Sequence, residues 1–244
     1  IKQFPAGSLQ FEIGIQSFNP DVQTLVSRKQ NNQKASENFA WLQQHTKVHM
    51  HVDLIAGLPG EDMQSFAAGF DQLVSLAPDE IQFGILKRLR GTPIIRHTEA
   101  HGMVFDPAPP YTILATNKIA FTDMQRLIRF SRYWDLVANS GRFKQCLPLI
   151  LADAPFARFM AFSDWLYQKT DATHRIALDR LAALVAQWLE EQGEPASAIS
   201  EAMELDFAVH KPAKKNSSEM PQKTALRAPT PQRQSRHLES KSMQ

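Results

Sequence analysis

Over the first ninety residues the apolar positions alternate between a period of two and a period near 3.6, the marks of strand and amphipathic helix. Phe11, Ile13 and Ile15 fall on one face of a first strand, with Glu12, Gly14 and Gln16 on the other. Asn19-Pro20-Asp21 then opens a helix through Leu25 and Val26, and Asn31-Asn32 precedes a second helix with Phe39 and Leu42 on its apolar face. A second strand is expected from about Val48 to Ile55. Gly57-Leu58-Pro59-Gly60 breaks it before a helix in which Phe66, Phe70, Leu73 and Val74 keep helical spacing. Ala77-Pro78 stops that helix, and Ile81 to Leu86 supplies a third strand. The series is βαβαβ, which calls for right-handed crossovers and therefore parallel strands. Parallel sheets do not end in bare edges, so a partner for the first strand is expected upstream of Ile1, and the chain reads as a fragment whose N-terminal half is a missing partner.

Past Gly91-Thr92-Pro93 the strand pattern gives way to helix patterns: Ile113 to Val137, Phe143 to Leu151, Pro155 to Tyr167 and Ile176 to Gln192, the last ended by Gly193. The fold class expected is α/β, the C-terminal half of a parallel βα (partial TIM-type) barrel followed by an all-helical domain. Its divisions are residues 1–92, 93–207, and a disordered basic tail over 208–244, where Lys, Pro, Ser and Gln replace large apolar residues.

Composition changes this picture in three places. A 43% hydrophobic, 21% charged chain of 244 residues can bury a sizeable core, and no apolar run approaches the length of a membrane helix, so a soluble, cytoplasmic protein is expected. The net charge of +2 conceals a tail with eight Lys or Arg against two Glu from His210 to Gln244, which leaves the body mildly acidic. That tail has no aromatic residue to stack on bases, so no nucleic-acid partner is expected. Finally, Cys146 is the one cysteine, and neither a disulfide nor a cysteine-ligated metal or iron–sulfur site can be built from a single thiol. A small buried hydrophobe is its expected role. Trp134, Trp165 and Trp188 are expected as core.

Reactive positions of a parallel barrel lie at the C-terminal ends of strands, and Gln16 and Asp53 are read as standing at such ends. Glu12, Gly14 and Gln16 share one face of the first strand, as His49, His51, Asp53 and Ile55 share one face of the second. Two neighbouring strands with a polar inward face suggest a ligand-filled interior. Gly14 removes a side chain from that face, and Gly57 and Gly60 are expected to let backbone approach a ligand closely.

The run Phe11-Glu12-Ile13-Gly14-Ile15-Gln16-Ser17-Phe18-Asn19, then Arg28-Lys29, then Asp53-Leu54-Ile55-Ala56-Gly57-Leu58-Pro59-Gly60-Glu61, resembles strands four and five of radical S-adenosylmethionine enzymes. The branch it most resembles places a cobalamin-binding domain before the barrel, and the run from about Phe11 to Leu151 is similar to that branch's C-terminal extension. The spacing also resembles that of the oxygen-independent coproporphyrinogen dehydrogenases of the same superfamily, in which a Gln, an Arg and an Asp contact S-adenosylmethionine. The resemblance implies that Gln16, Arg28 in the helix after it, and Asp53 bind this cofactor, with Ile55 as an apolar wall or backbone contact for adenine. An Asp carboxylate accepts from ribose hydroxyls, a Gln amide donates and accepts, and Arg meets the methionyl carboxylate with a charge-assisted bond. It further implies a 4Fe-4S cluster whose three cysteines, in a CxxxCxxC loop, are not in this chain, and a cobalamin whose domain is likewise not in this chain. The chain alone is expected to be inactive, and its small-molecule substrate is unspecified.

Two other readings stay open at this point. His49, His51 and Asp53 on one face, with His97 and His101 one helical turn apart, are the donor types of a divalent-metal barrel hydrolase. Alternatively, the fold is a non-catalytic remnant acting as a binding module.

Overall fold

The computed structural model describes residues 1–207; the tail expected over 208–244 lies outside them. Three parallel strands, β1 (Gln10–Gln16), β2 (His49–Ala56) and β3 (Glu80–Ile85), form a sheet in the order β1-β2-β3. The helices between them are α1 (Pro20–Leu25), α2 (Asn32–His45) and α3 (Met63–Ser75). Each starts on a short polar residue that satisfies free backbone N–H groups: Asn19 accepts from the N–H of Asp21, Asn31 from that of Lys34, and Asp62 from that of Ser65. Helices α4 (Phe121–Val137), α5 (Cys146–Leu151), α6 (Pro155–Thr170), α7 (Leu178–Glu191) and α8 (Ala196–Phe207) follow. The architecture is α/β, a partial parallel barrel followed by a helical region. No helix of the described residues is long and apolar enough to cross a membrane.

The expectation of an all-helical region after residue 92 needs correction at its beginning. Ile113–Ala115 is not helical: it is strand β5, paired antiparallel with β4 (Val104–Phe105). The same segment adds to the end of β3, with Ile113 N–H donating to Leu86 O and Arg88 N–H to Tyr111 O. Helix α4 starts only at Phe121.

Strand alternation sorts the sheet into two unlike faces. Met50, Val52, Leu54 and Ala56 of β2 are all buried under α3 and the later helices, while His51, Asp53 and Ile55 are half-exposed on the other side. On the covered side lies an aromatic cluster in which Phe66 and Phe70 of α3, Phe83 of β3, Phe130 and Trp134 of α4, and Phe156 and Phe159 of α6 interlock. Trp134 and Trp188 are buried as expected, whereas Trp165 is half-exposed and donates its indole N–H to Glu191.

Helix α4 also closes the outer edge of β3. The Asn139 side chain, just past its end, accepts from Ile81 N–H at 3.1 Å and donates to Ile81 O at 2.9 Å, so it imitates the backbone of a missing strand. Ser131 donates to Phe83 O at 2.6 Å. An edge strand exposes unpaired amides that must find partners. Asn139→Ala removes both partners of a buried strand residue and is expected to cost about 2–3 kcal/mol, read as a drop in the urea midpoint. A change within ±0.5 kcal/mol would show that water replaces the amide at no cost.

Candidate functional site on the open face of the sheet

The open face is built from three registers: Gly14 opposite Asp53, Asp53 opposite Gln82, and Ile55 opposite Gly84. The ladder between β1 and β2 slips between Gly14 and Gln16, and Gln16 leaves the strand with φ 68°, a left-handed conformation uncommon for a residue with a side chain. The turn folds the Gln16 side chain back over Gly14. A Cβ at position 14 would lie 2.8 Å from Gln16 Nε2 and 3.4 Å from Arg28 Nη2, so any larger residue would have to displace the ends of those two side chains. The guanidinium of Arg28 donates to Gly14 O and, at 3.2 Å, to Gln30 Oε1.

Asp53 faces the same group. Partial burial raises its carboxyl above the ordinary value; His51 pulls it down, Glu12 pushes it up and Arg28 pulls it down. Each of those three charges therefore lies close enough to act on it. His51 Nε2 is 3.9 Å from Asp53 Oδ1, and the Asp53 side chain keeps 33% of its surface exposed. Glu12 is exposed on this face.

The structure thus brings Gln16, Arg28 and Asp53 together around a bare glycine, with Ile55 half-buried two residues further along β2. Two placements differ from the sequence reading. Arg28 is not in a helix: α1 ends at Leu25, and Arg28 lies in the loop before α2, which frees its backbone to turn the guanidinium inward. Asp53 is not at a strand end, since β2 continues in ladder with β3 to Ala56 and sets Asp53 deeper in the face.

The expected close approach of Gly57 and Gly60 to a ligand is also replaced. Gly57 has φ 88°, and a Cβ there would stand 2.6 Å from Ile113 and 3.1 Å from Met124; Gly60 faces Leu25 and His101. Both glycines take left-handed backbone, and the chain's own side chains, Ile113 at Gly57 and Leu25 at Gly60, pack against them.

His49 does not join His51 and Asp53. It is buried, 3.2 Å from Glu80 and 3.9 Å from Asp79, in a cluster of its own. His97 and His101 have ring centroids 5.8 Å apart, but among the described residues no three His, Cys, Asp or Glu side chains converge as a metal site. The hydrolase reading has no geometric support. Cys146 is buried, and burial first, then the neighbouring Asp206 carboxylate, raises its thiol well above the ordinary range, so it serves as packing.

Glu61 had no assigned role in the sequence. It is 1% exposed and accepts from Ser17 Oγ at 2.6 Å and, more weakly, from Ser65 Oγ at 3.4 Å. Asn19 completes the ring, donating its backbone N–H to Ser17 Oγ and its amide to Ser65 Oγ. The clamp ties the loop that begins at Gln16 to the start of α3. The signal for it was an acid directly after Pro-Gly and before a helix cap, opposite a serine that follows a strand end.

Against known proteins, residues 99–242 match the family described as "Protein of unknown function (DUF4080)". Over 75 residues the chain is 33% identical to the oxygen-independent coproporphyrinogen III oxidase of Thermostichus vulcanus, covering 31% of this chain and 23% of that protein. It is 29% identical over 104 residues to anaerobilin synthase of Escherichia coli O157:H7, covering 43% and 23%. It is 26% identical over 95 residues to the mitochondrial radical S-adenosyl methionine domain-containing protein 1 of Danio rerio, covering 39% and 21%. The chain therefore spans less than a quarter of the length of these curated relatives. A solved structure, described as showing that the coproporphyrinogen III oxidase HemN of Escherichia coli is a radical SAM enzyme, is 24% identical over 51% of this chain and 26% of its own. Its TM-score of 0.37 is too low to carry an argument. The relatives support the radical S-adenosylmethionine superfamily; none of them bears on the cobalamin-binding branch. With the match extending over more than half of its length, the chain belongs to the DUF4080 family of proteins of unknown function.

Proposed function

We propose that this chain holds S-adenosylmethionine against the open face of its sheet and forms one wall of the substrate cavity of a radical S-adenosylmethionine enzyme. The observation that carries the reading is the convergence of Gln16, Arg28 and Asp53 around Gly14. The donor set fits the cofactor. Asp53 would accept hydrogen bonds from ribose hydroxyls, Arg28 would pair with the methionyl carboxylate, Gln16 offers both a donor and an acceptor, and Ile55 would wall the adenine. Because the guanidinium of Arg28 is already held by Gly14 O and Gln30, it meets the carboxylate pre-oriented.

The 4Fe-4S cluster does not fit this chain. A single buried thiol with a raised pKa cannot supply three thiolates from one loop, so its ligands belong to the partner half that precedes these strands. Cobalamin, in the branch resembled, belongs to a domain further upstream. Held by Gln16, Arg28 and Asp53, S-adenosylmethionine would supply hydrogen-abstraction chemistry only in combination with a reduced cluster that this chain does not ligate. The residues described here bind, orient and enclose.

Titration of the isotope-labelled chain with S-adenosylmethionine, followed by amide chemical shifts, tests the site. Shifts are expected at Gly14, Gln16 and Asp53, and Asp53→Ala should weaken binding roughly ten- to a hundredfold, the equivalent of a lost charge-assisted hydrogen bond of about 1.5–3 kcal/mol. His51→Ala should weaken it less. Equal losses from the two substitutions, or no shifts on this face, would leave the non-catalytic binding module as the better account.

A further inference from the structure

Beside the open face, a groove of about 680 Å³ runs along the outer edge of β3. Gln82 and Gly84 of β3 form its floor, Leu114 of β5 and Ile128 of α4 its apolar sides, and Lys87 and Arg132 its charged margins. It shares His51 with the open face, and its floor residue Gly84 is the ladder partner of Ile55. Asn139 and Ser131 occupy the hydrogen-bonding groups of the β3 edge, so no further strand can fill it from that side.

The charges within it are not equivalent. Three arginines follow one another along α4 at helical spacing, and the first two are held: Arg126 by Asp164 at 2.8 Å and by Asp123, and Arg129 by Asp164 at 3.7 Å and over the ring of Tyr167. Arg132 is exposed toward the groove instead, and neither its side chain nor that of Lys87 has a hydrogen-bond or ion-pair partner among the described residues. The two carboxylates of the lining are engaged. Asp106 accepts from Ala108 N–H at 2.9 Å, and Asp135 is 3.5 Å from the Asn139 amide. Two unpaired cations in a groove whose mixed lining includes Ile85, Leu114 and Ile128 are complementary to an apolar body bearing an oxyanion.

We propose that this groove binds a small molecule with an apolar body and a carboxylate or phosphate group, held by Arg132 and Lys87. Its meaning as the substrate seat rests on the reading of the neighbouring face as the S-adenosylmethionine site. Arg132 contributes a planar, two-pronged donor and Lys87 a flexible point charge.

The test uses three probes of the same ring system on the full chain: 1-naphthoate, 1-naphthyl phosphate and the neutral 1-naphthalenemethanol, each followed by amide shifts. Either anion is expected to bind at least tenfold more tightly than the alcohol, with shifts at Gly84, Leu114 and Ile128, and the stronger of the two identifies the headgroup. Arg132→Ala or Lys87→Ala should weaken the anion about tenfold and spare the alcohol; both residues are exposed, so folding is not at stake. Equal binding of anion and alcohol, anion shifts confined to other surfaces, or wild-type anion binding in both variants would overturn the assignment. Asp53→Ala should leave naphthoate binding unchanged. If S-adenosylmethionine fails to bind while naphthoate binds as described, the cofactor reading falls and the groove stands; the reverse result removes the groove alone.

Discussion

Phe130→Ala is expected to destabilise the fold by about 3–5 kcal/mol, and to do so in a single transition seen alike by probes of sheet and helix. Phe130 is fully buried and its ring lies within 4.8–5.3 Å of the rings of Phe83, Phe159, Phe70 and Phe156. Those four rings come from β3, α6, α3 and the start of α6, so one side chain joins the covered face of the sheet to the helical region. Truncation removes the transfer energy of a large aromatic group and leaves a cavity that rigid neighbours cannot collapse around. Phe130→Leu keeps most of the volume and should recover more than half of the loss. Urea unfolding followed by tryptophan fluorescence and by far-ultraviolet dichroism measures this. Two separated transitions, with only the helical one displaced, would show that the sheet is stable without α4.

The tightness of that cluster bears on how a partial barrel can persist at all. The open face of β2 is half-exposed, so the sheet draws its stability from the other side, where every second residue of β2 is buried. An open polar face can then be kept for ligands, because its residues are not needed for the core. Burial and exposure are divided between the two faces of the same strands.

That division was legible in the sequence where periodicity carries it. Phe11 to Gln16 and Met50 to Ile55 alternate cleanly, Asn19, Asn31 and Pro78 punctuate the helices, and the three strands and their parallel order follow. Strand β5 was hidden because Ile113-Leu114-Ala115 is too short to show a period and runs into a helical pattern. Arg28 was placed in a helix because nothing local marks where a six-residue helix stops; α1 ends without a glycine or proline. The depth of Asp53 depended on how far β2 pairs with β3, a non-local quantity. Asn139, Ser131 and Arg132 could not be read at all. Their partners lie 48 or more residues away, or are the unfilled space of a groove. Positions set by the alternation of their own strand were legible; those that work across elements were not.

Glu61 is the sharpest such case, and it carries the second large effect expected. Burial, opposed in part by the hydrogen bonds from Ser17 and Ser65 and reinforced by the nearby charge of Asp62, pushes its carboxyl from 4.5 up to about 7. Its second oxygen, Oε2, is buried without a partner among the described residues, a position where a negative charge is costly and a neutral acid is tolerated. In the unfolded chain the same acid ionises near its ordinary value. Between those two values the folded state therefore holds one proton more than the unfolded state, and stability from this group must fall as pH rises through that window. The full effect is about 3 kcal/mol, from the rise between 4.5 and about 7 at roughly 1.36 kcal/mol per pH unit. It is complete above the folded value, where both states are ionised. Glu61→Gln keeps the acceptor for Ser17 and cannot ionise, so its unfolding free energy should change less with pH than the wild type by that amount. Urea titrations at pH 5, 6, 7 and 8 on both proteins measure the difference directly, because every group other than Glu61 contributes equally to each. Parallel curves would mean that the Ser17–Glu61 clamp is ionised throughout, with the charge held by the serine hydroxyls alone. Curves that diverge only above pH 5, with Gln the more stable at pH 8, would show that a neutral acid fixes the loop leaving Gln16, and that raising the pH loosens the strand end from which that residue is aimed.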